Sequence, residues 1–500
     1  MHTHSTLAAL FVQLLVLFTG AACTHSPAVR STNAAPELPR EFRAAWVATV
    51  DNIDWPSRPG LPARAARAEL DAIVARAVEL KLNALVFQVR PSADAMYQST
   101  LEPWSEWLTG AQGRAPDEAW DPLEYLITAC HREGLQLHAW CNPFRAAHPA
   151  GKSAPAANHV LSKLPSACVK YGAYQWMDPG DQRAADWSLA VIRDLVTRYD
   201  LDGVHIDDYF YPYPEKGKPF PDTRSFTAYQ KGGGKLSRDD WRRFNIDTFV
   251  RRMYETVHQQ KPWVQVGISP FGIARPKVPV GIEAGIDQYA DLYADVQKWL
   301  REGWLDYLAP QLYWPIDQKP QSFAVLLPWW HSVNPKQRHV WPGINPGRML
   351  AGKAPSRPDE LRDELQLLRA QKASQGHIHY SFRALRTDAA NVAGALKNSL
   401  YPTFAVAPAS PWLKDRSPSA PAAPEARVEG TAGRQVAHWT PDPNARFVAV
   451  QVRKAKDWTV HRVLGAEVGS CTLPADATAV SLVAISRTGA LSAPSSPKLR

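Results

Sequence analysis

The sequence predicts an α/β protein, a (β/α)8 barrel of the TIM type followed by a small all-β sandwich of fibronectin-III-like pattern. Three observations carry that expectation. Short apolar strand patterns alternate with amphipathic helical patterns from residue 41 to about residue 400, which implies parallel strands joined by right-handed crossovers. The strand–helix units number eight, the count that closes a barrel. After residue 425 the apolar period shortens to two and turns separate the strands, as in a β-sandwich.

The eight strands are expected at 43–50, 84–89, 136–141, 203–208, 264–269, 307–313, 339–344 and 377–382. Helical patterns lie at 62–80, 122–132, 181–199, 239–260, 287–301, 323–331, 358–372 and 389–396. In the first of these, Leu70, Ile73, Val74 and Ala77 form one apolar stripe, the spacing of a helix packed on a sheet. The clearest insertion is 209–237, after the fourth strand. An open doubly wound sheet is the alternative, but no Gly-x-Gly-x-x-Gly follows the first strand. Gly232-Gly233-Gly234-Lys235 lacks the spacing of a phosphate loop. The barrel is therefore placed at 41–402. Pro408, Pro411, Pro418, Pro421 and Pro424 mark 403–425 as a stiff linker. The β-sandwich takes 426–500, with strands at 447–452 and 479–486.

Composition narrows the class. The chain has 500 residues, 45% hydrophobic and 21% charged, too apolar for a disordered protein. Five cysteines in 500 residues exclude a disulfide-built scaffold, and the lack of a Cys-x-x-Cys pair excludes a zinc ribbon. The 19 tryptophans suit stacking on flat, amphipathic ligands such as sugar rings. The net charge of +9 favours an anionic partner. No cofactor, metal or nucleic acid is expected.

The first 22 residues read as a signal peptide, with an apolar run from Leu7 to Gly20 too short to span a membrane comfortably. Small residues then precede Cys23, the pattern of a bacterial lipoprotein whose cysteine is acylated after cleavage. Residues 23–40 follow as a tether. The expected location is the cell envelope, as a periplasm-facing lipoprotein of the outer membrane held through Cys23.

Catalytic groups of such a barrel gather at the carboxyl ends of its strands. The fourth strand ends in His205-Ile206-Asp207-Asp208-Tyr209. Alternation sends one of Asp207 and Asp208 to the mouth and the other toward the wall or the next loop. Two close carboxyls repel and burial raises them further, which keeps an acid protonated near neutrality. Glycoside cleavage needs such an acid and a second carboxylate. Asp207 is the favoured catalytic residue, with Asp208 as its partner and Asp94, Asp54 and Asp51 competing for that second role. Gln88, Arg90, Asp94, Asn142, Arg145, Tyr209, Gln311, Tyr313 and Trp314 are the expected substrate contacts at the other strand ends. Amides and arginines hydrogen-bond hydroxyls, and aromatic rings stack on sugar faces. Arg90 and Arg145 can hold a substrate carboxylate bidentately or neutralise the acidic cluster. His377 and His379 share a strand face and are read as core packing.

Several segments resemble the glycosyl-hydrolase-like 10 family of bacterial envelope lipoproteins. They include Arg43-Ala44-Ala45-Trp46-Val47, Phe87-Gln88-Val89-Arg90-Pro91 and His138-Ala139-Trp140-Cys141-Asn142-Pro143-Phe144-Arg145. They continue through Asp202-Gly203-Val204-His205-Ile206-Asp207-Asp208-Tyr209, Gly267-Ile268-Ser269-Pro270-Phe271-Gly272 and Asp306-Tyr307-Leu308-Ala309-Pro310-Gln311-Leu312-Tyr313-Trp314. The match departs after Gly272, where Ile273-Ala274-Arg275-Pro276 replaces the family's Trp-Arg-Asn. The resemblance implies a barrel glycosidase acting on peptidoglycan glycan strands stripped of stem peptides, working beside division-machinery proteins. Such strands carry one lactyl carboxylate per disaccharide, which suits a basic protein. A non-catalytic glycan-binding protein, a glycosidase of another polysaccharide and a metal-dependent deacetylase remain the alternatives.

Overall fold

The barrel closes through a strand that is broken in the middle. The strands are β1 (Phe42–Val47), β2 (Ala84–Arg90), β3 (Gln136–Cys141), β4 (Gly203–Ile206), β5 (Gln265–Ile268), β6 (Tyr307–Leu308), β7 and β8 (Gly376–His379). Strand β7 comes in two pieces, His339–Val340 and Gly343–Ile344, on either side of Trp341-Pro342. The first piece pairs with β6 and the second with β8. All pairings in this nine-segment sheet are parallel, and its two ends belong to one strand. The result is an α/β barrel. The computed structural model describes residues 34–347, 359–371, 376–388, 391–415 and 420–499. The expected signal peptide, Cys23 and most of the tether lie outside them.

Alternation separates the core into two layers. Ala45 and Val47, Leu85 and Phe87, Leu137 and Ala139, Val204 and Ile206 pack outward under the helices. Phe42, Ala44, Trp46, Ala84, Val86, Trp140, Tyr307 and Ile378 fill the interior. The helix Ala63–Glu79 buries Leu70, Ile73, Val74 and Ala77, the stripe expected from spacing. Several strands are shorter than the pattern implied. The 307–313 stretch is a strand only at Tyr307–Leu308, because Pro310 offers no N–H to a ladder. The 287–301 helix is two short ones, Gln288–Asp291 and Val296–Glu302, with Tyr293 at positive φ between them.

After β3 the chain forms a small antiparallel sheet of Arg145–Ala147, Cys168–Tyr171 and Tyr174–Met177. Its segments have three or four residues, too few to show a period of two.

The 403–415 stretch, part of the expected stiff linker, is bonded across the amino-terminal end of the barrel. Glu41 N–H donates to Val406 O at 3.0 Å and Asn83 Nδ2 to Ala405 O at 3.1 Å. Gln265 Nε2 donates to Ser410 Oγ at 2.7 Å, and Trp412 Nε1 to Asp306 Oδ1 at 2.9 Å. An extended proline-rich chain exposes its carbonyls, and groups at the strand starts use them.

The C-terminal strands form two three-stranded antiparallel sheets around one core of Val428, Trp439, Val450, Leu464 and Leu482. The outer face of one sheet buries Phe447, Ala449, Val463 and Ile485 with Leu38 and Val406. Residues Glu37–Arg500 thus form one compact unit. Arg446 joins its two parts, bonding Asp200 at 2.8 Å and Asp202 at 3.1 Å just before β4. Burial opposes ionisation of Asp202, but Arg446 and His131 outweigh it and hold the carboxyl well below the usual range. Replacing Arg446 by Met leaves a buried charge without its partner and is expected to destabilise the protein by about 3 kcal/mol. Chemical denaturation measures this. A carboxyl lowered on folding stabilises above its unfolded pKa of about 3.9 and loses that contribution as pH falls below it. The stability of the wild type should therefore fall more steeply on acidification than that of Arg446→Met.

Candidate functional site

The floor of the mouth is a one-way hydrogen-bond chain across the barrel. Trp46 Nε1 donates to His205 Nε2 at 3.1 Å. An indole can only donate, so this imidazole nitrogen is bare and the proton sits on Nδ1. His205 Nδ1 then donates to Tyr307 Oη at 3.0 Å, and the phenol passes its own hydrogen to His138 Nδ1 at 2.9 Å. Burial pushes both histidines down, His138 to about 4, so both are neutral. Glycine is required beside them. A Cβ on Gly203 would collide with the His138 ring, and one on Gly267 with the Tyr307 ring.

Two residues beyond His205, on the same side, stands Asp207. Trp140 Nε1 donates to its Oδ2 at 3.0 Å, and Asn142 Nδ2 reaches both oxygens at 3.2 Å. Asp207 is only 5% exposed. Burial raises its pKa to about 7 despite the charge of Arg145, and Asp208 pushes it the same way. Asp208 turns toward other donors, the Tyr213 hydroxyl, the Gln311 amide and its own backbone N–H. Burial raises Asp208 too.

The remaining expected residues divide into two groups. Asn142, Arg145, Tyr209, Gln311 and Tyr313 surround the two carboxyls, while Trp314 stands beside Gly272 at a neighbouring strand end. Arg145 lies over the Tyr209 ring at 4.4 Å. Tyr313 stacks on Tyr380 at 5.6 Å, and Tyr380 meets Trp46 edge-on at 6.1 Å. Trp314 packs edge-on against Phe271 at 5.5 Å.

Gln88, Arg90 and Asp94 are buried and bonded within the fold around the mouth. Gln88 Oε1 accepts from the N–H groups of Thr49 and Val50, both at 2.9 Å, and so braces the loop after β1. Arg90 is fully buried. Glu102 takes its Nε and Nη2 at 2.8 and 2.6 Å, and the carbonyls of Asn142 and Pro143 take Nη1. Asp94 is raised to about 7 by burial, like Asp207, but it bonds Ser92 N–H and Ser105 within its own loop. A raised pKa therefore does not by itself mark this site; the geometry does. Asp54 likewise ties the first loop to Ser381 and Arg383 after β8, and Asp51 is exposed. His377 and His379 both meet the Tyr401 hydroxyl on the outer face of β8, which takes them away from the mouth.

Trp140, Tyr213, Trp46 and His205 belong to the site but were not singled out. Alternation along β3 places Trp140 on the same side as Asn142, a signal the sequence did contain. Tyr213 sits in the irregular insertion after β4, where no period predicts direction.

A family model for Glycosyl hydrolase-like 10 matches residues 41–352. The chain belongs to this family. A glycosyl hydrolase named YngK from Bacillus subtilis (strain 168) is 36% identical over 390 residues, covering 76% of each chain. A second relative, the glycosyl hydrolase DigH from Escherichia coli (strain K12), is 32% identical over 369 residues, covering 67% of this chain and 82% of its own. Among solved structures, the PgaB (BpsB) glycoside hydrolase domain from Bordetella bronchiseptica aligns with a TM-score of 0.48 at 13% identity. That alignment covers 72% of this chain and 98% of that domain. The family membership and both relatives support a glycosidase-like role for this member of the Glycosyl hydrolase-like 10 family.

The donor set around Asp207 has a measurable signature. Trp140→Phe removes a hydrogen bond that favours the ionised carboxylate, so the Asp207 pKa should rise further. If Asp207 acts as an acid, the alkaline limb of the kcat/KM profile should lie near pH 7 in the wild type. It should move to higher pH in Trp140→Phe, as measured by pH-dependent steady-state kinetics.

Proposed function

We propose that the protein is a cell-envelope glycosidase that hydrolyses glycosidic bonds in peptidoglycan glycan strands, those stripped of stem peptides. The observation that carries this reading is the Asp207–Asp208 pair at the end of β4, with one carboxyl raised to about 7. In this mechanism Asp207 gives its proton to the leaving glycosidic oxygen. Asp208 receives a phenol, an amide and a backbone N–H, donors that favour its charged form. It acts as the carboxylate that attacks the sugar or activates water. Adjacent carboxyls titrate as a pair, and the proton resides on the member with fewer strong donors. Tyr209, Tyr313, Tyr380 and Trp314 offer half-buried aromatic surface to the sugar rings.

Localisation belongs to the same proposal. Acylated Cys23 would tether the barrel to the outer membrane and so hold it beside its polymer, near the division machinery. Cys23→Ala should release the protein from membranes into the soluble envelope fraction, as read by fractionation and immunoblotting.

The test of the activity is mass spectrometry of products from peptide-free glycan strands, beside intact peptidoglycan. New reducing ends from the stripped strands alone are expected. Asp207→Asn should lower the rate by about 10³-fold, within the usual range for removing a general acid. A mutant as fast as the wild type would discard Asp207. Binding of strands with no product would favour a glycan-binding protein instead.

A further inference from the structure

We propose that Arg145 and Trp176 form a receptor for a free carboxylate on a sugar ring flanking the bond that is cut. This rests on the glycosidase reading above and adds what the site selects.

Four arginines are buried among the described residues: Arg43, Arg90, Arg145 and Arg242. Three of them grip a carboxylate at 2.6 Å, namely Glu41, Glu102 and Asp222. Arg145 is 4% exposed and has no ion pair among the described residues. Its Nε has no hydrogen-bond partner, and its Nη1 reaches only the Pro91 carbonyl at 3.4 Å. Arg145 acts on Asp207 and Asp208 only through space, without touching either carboxyl. A buried guanidinium with open N–H donors and no contact ion pair is unfavourable, and a ligand carboxylate would complete it.

Trp176 supplies a second waiting donor. Arg145 and Trp176 are register partners across the small sheet after β3, so their side chains stand on one face. Trp176 is 3% exposed, and its indole N–H also has no partner. Tyr209 adjoins both, with the Arg145 Cζ 4.4 Å and the Trp176 ring 6.1 Å from its centroid. Two unanswered N–H donors beside aromatic rings suit an apolar ring that bears acceptor oxygens. A hydroxyl would answer the hydrogen bonds. A carboxylate answers them and also supplies the contact ion pair that Arg145 lacks.

Asn142 links the receptor to the catalytic group. Its Nδ2 holds Asp207, and its Oδ1 accepts from the Arg145 backbone N–H at 2.8 Å. The backbone that carries Arg145 is thus tied to the catalytic carboxyl, and its guanidinium is near enough to act on Asp207 through space, so the receptor reads a ring beside the reacting bond. In a glycan strand that still carries peptides, the lactyl carboxyl is an amide. It has lost its charge and one acceptor, so the receptor disfavours it.

The experiment compares peptide-free strands with the same strands after reduction of the lactyl carboxyls to alcohols. The wild type should cleave reduced strands with kcat/KM lower by about 30-fold, mostly through KM, the worth of one charge-assisted hydrogen bond. Arg145→Gln should cleave both strands at similar low rates, and Trp176→Phe should show a smaller preference than the wild type. Equal cleavage of both strands by the wild type would overturn the proposal without any variant. So would a preference that survives in Arg145→Gln. Should neither strand be cleaved, calorimetric binding decides. A carboxylate preference in the wild type that Arg145→Gln loses upholds the receptor and overturns the glycosidase reading. Equal binding of both strands overturns the receptor.

Discussion

An indole N–H can only donate, and that one constraint orders the inside of this barrel. Because Trp46 donates to His205, the proton of His205 must face Tyr307, and the phenol must in turn face His138. These four polar rings thereby meet one another's hydrogen bonds, and none of them carries charge. A neutral floor has a consequence at the mouth. Asp207 finds no cation beneath it, so burial dominates its titration and Arg145 lowers it only from a distance. A charged histidine at either position would pull the carboxyl back toward its ordinary value and remove the proton that an acid catalyst needs.

The fold was legible because its signals are long and repeated. Eight alternations of strand and helix survive errors at individual boundaries, and the Leu70–Ala77 stripe states its own helical period. The strand-end rule then led to Asp207, Asp208, Asn142, Arg145 and Gln311. What it could not supply was direction within a strand end. Arg90 and Arg145 look alike in sequence, each preceding or following a proline-bearing strand end. In space Glu102, twelve residues from Arg90, consumes one of them, while the other touches no carboxylate among the described residues. Tyr213 and Trp176 lie on an insertion and a three-stranded sheet too short to show a period, so their contacts exist only in three dimensions.

The proline-rich composition of 403–425 describes stiffness and not contacts. The same stiffness lets the segment run straight under the strand starts and bond Asn83, Gln265 and Asp306 in turn. Together with the C-terminal sheets it covers the end of the barrel opposite the chemistry. This agrees with the division found in such barrels, in which one end is given to stability and the other to the reaction.

That division is visible within one strand. Asp202 and Asp207 bracket β4, five residues apart, and both are buried. Burial pushes each carboxyl upward by the same physics. At Asp202, Arg446 and His131 make direct contact and reverse the outcome, so the residue stays charged and joins the barrel to the C-terminal sheets. At Asp207 the neighbours that touch it are an indole and an amide, and the nearest cation bonds its carboxyl nowhere. The neutral donors orient the group without fixing its charge. A four-residue strand therefore carries a permanent anion at one end and an exchangeable proton at the other. The difference between them is the placement of a guanidinium in contact with one carboxyl and out of contact with the other.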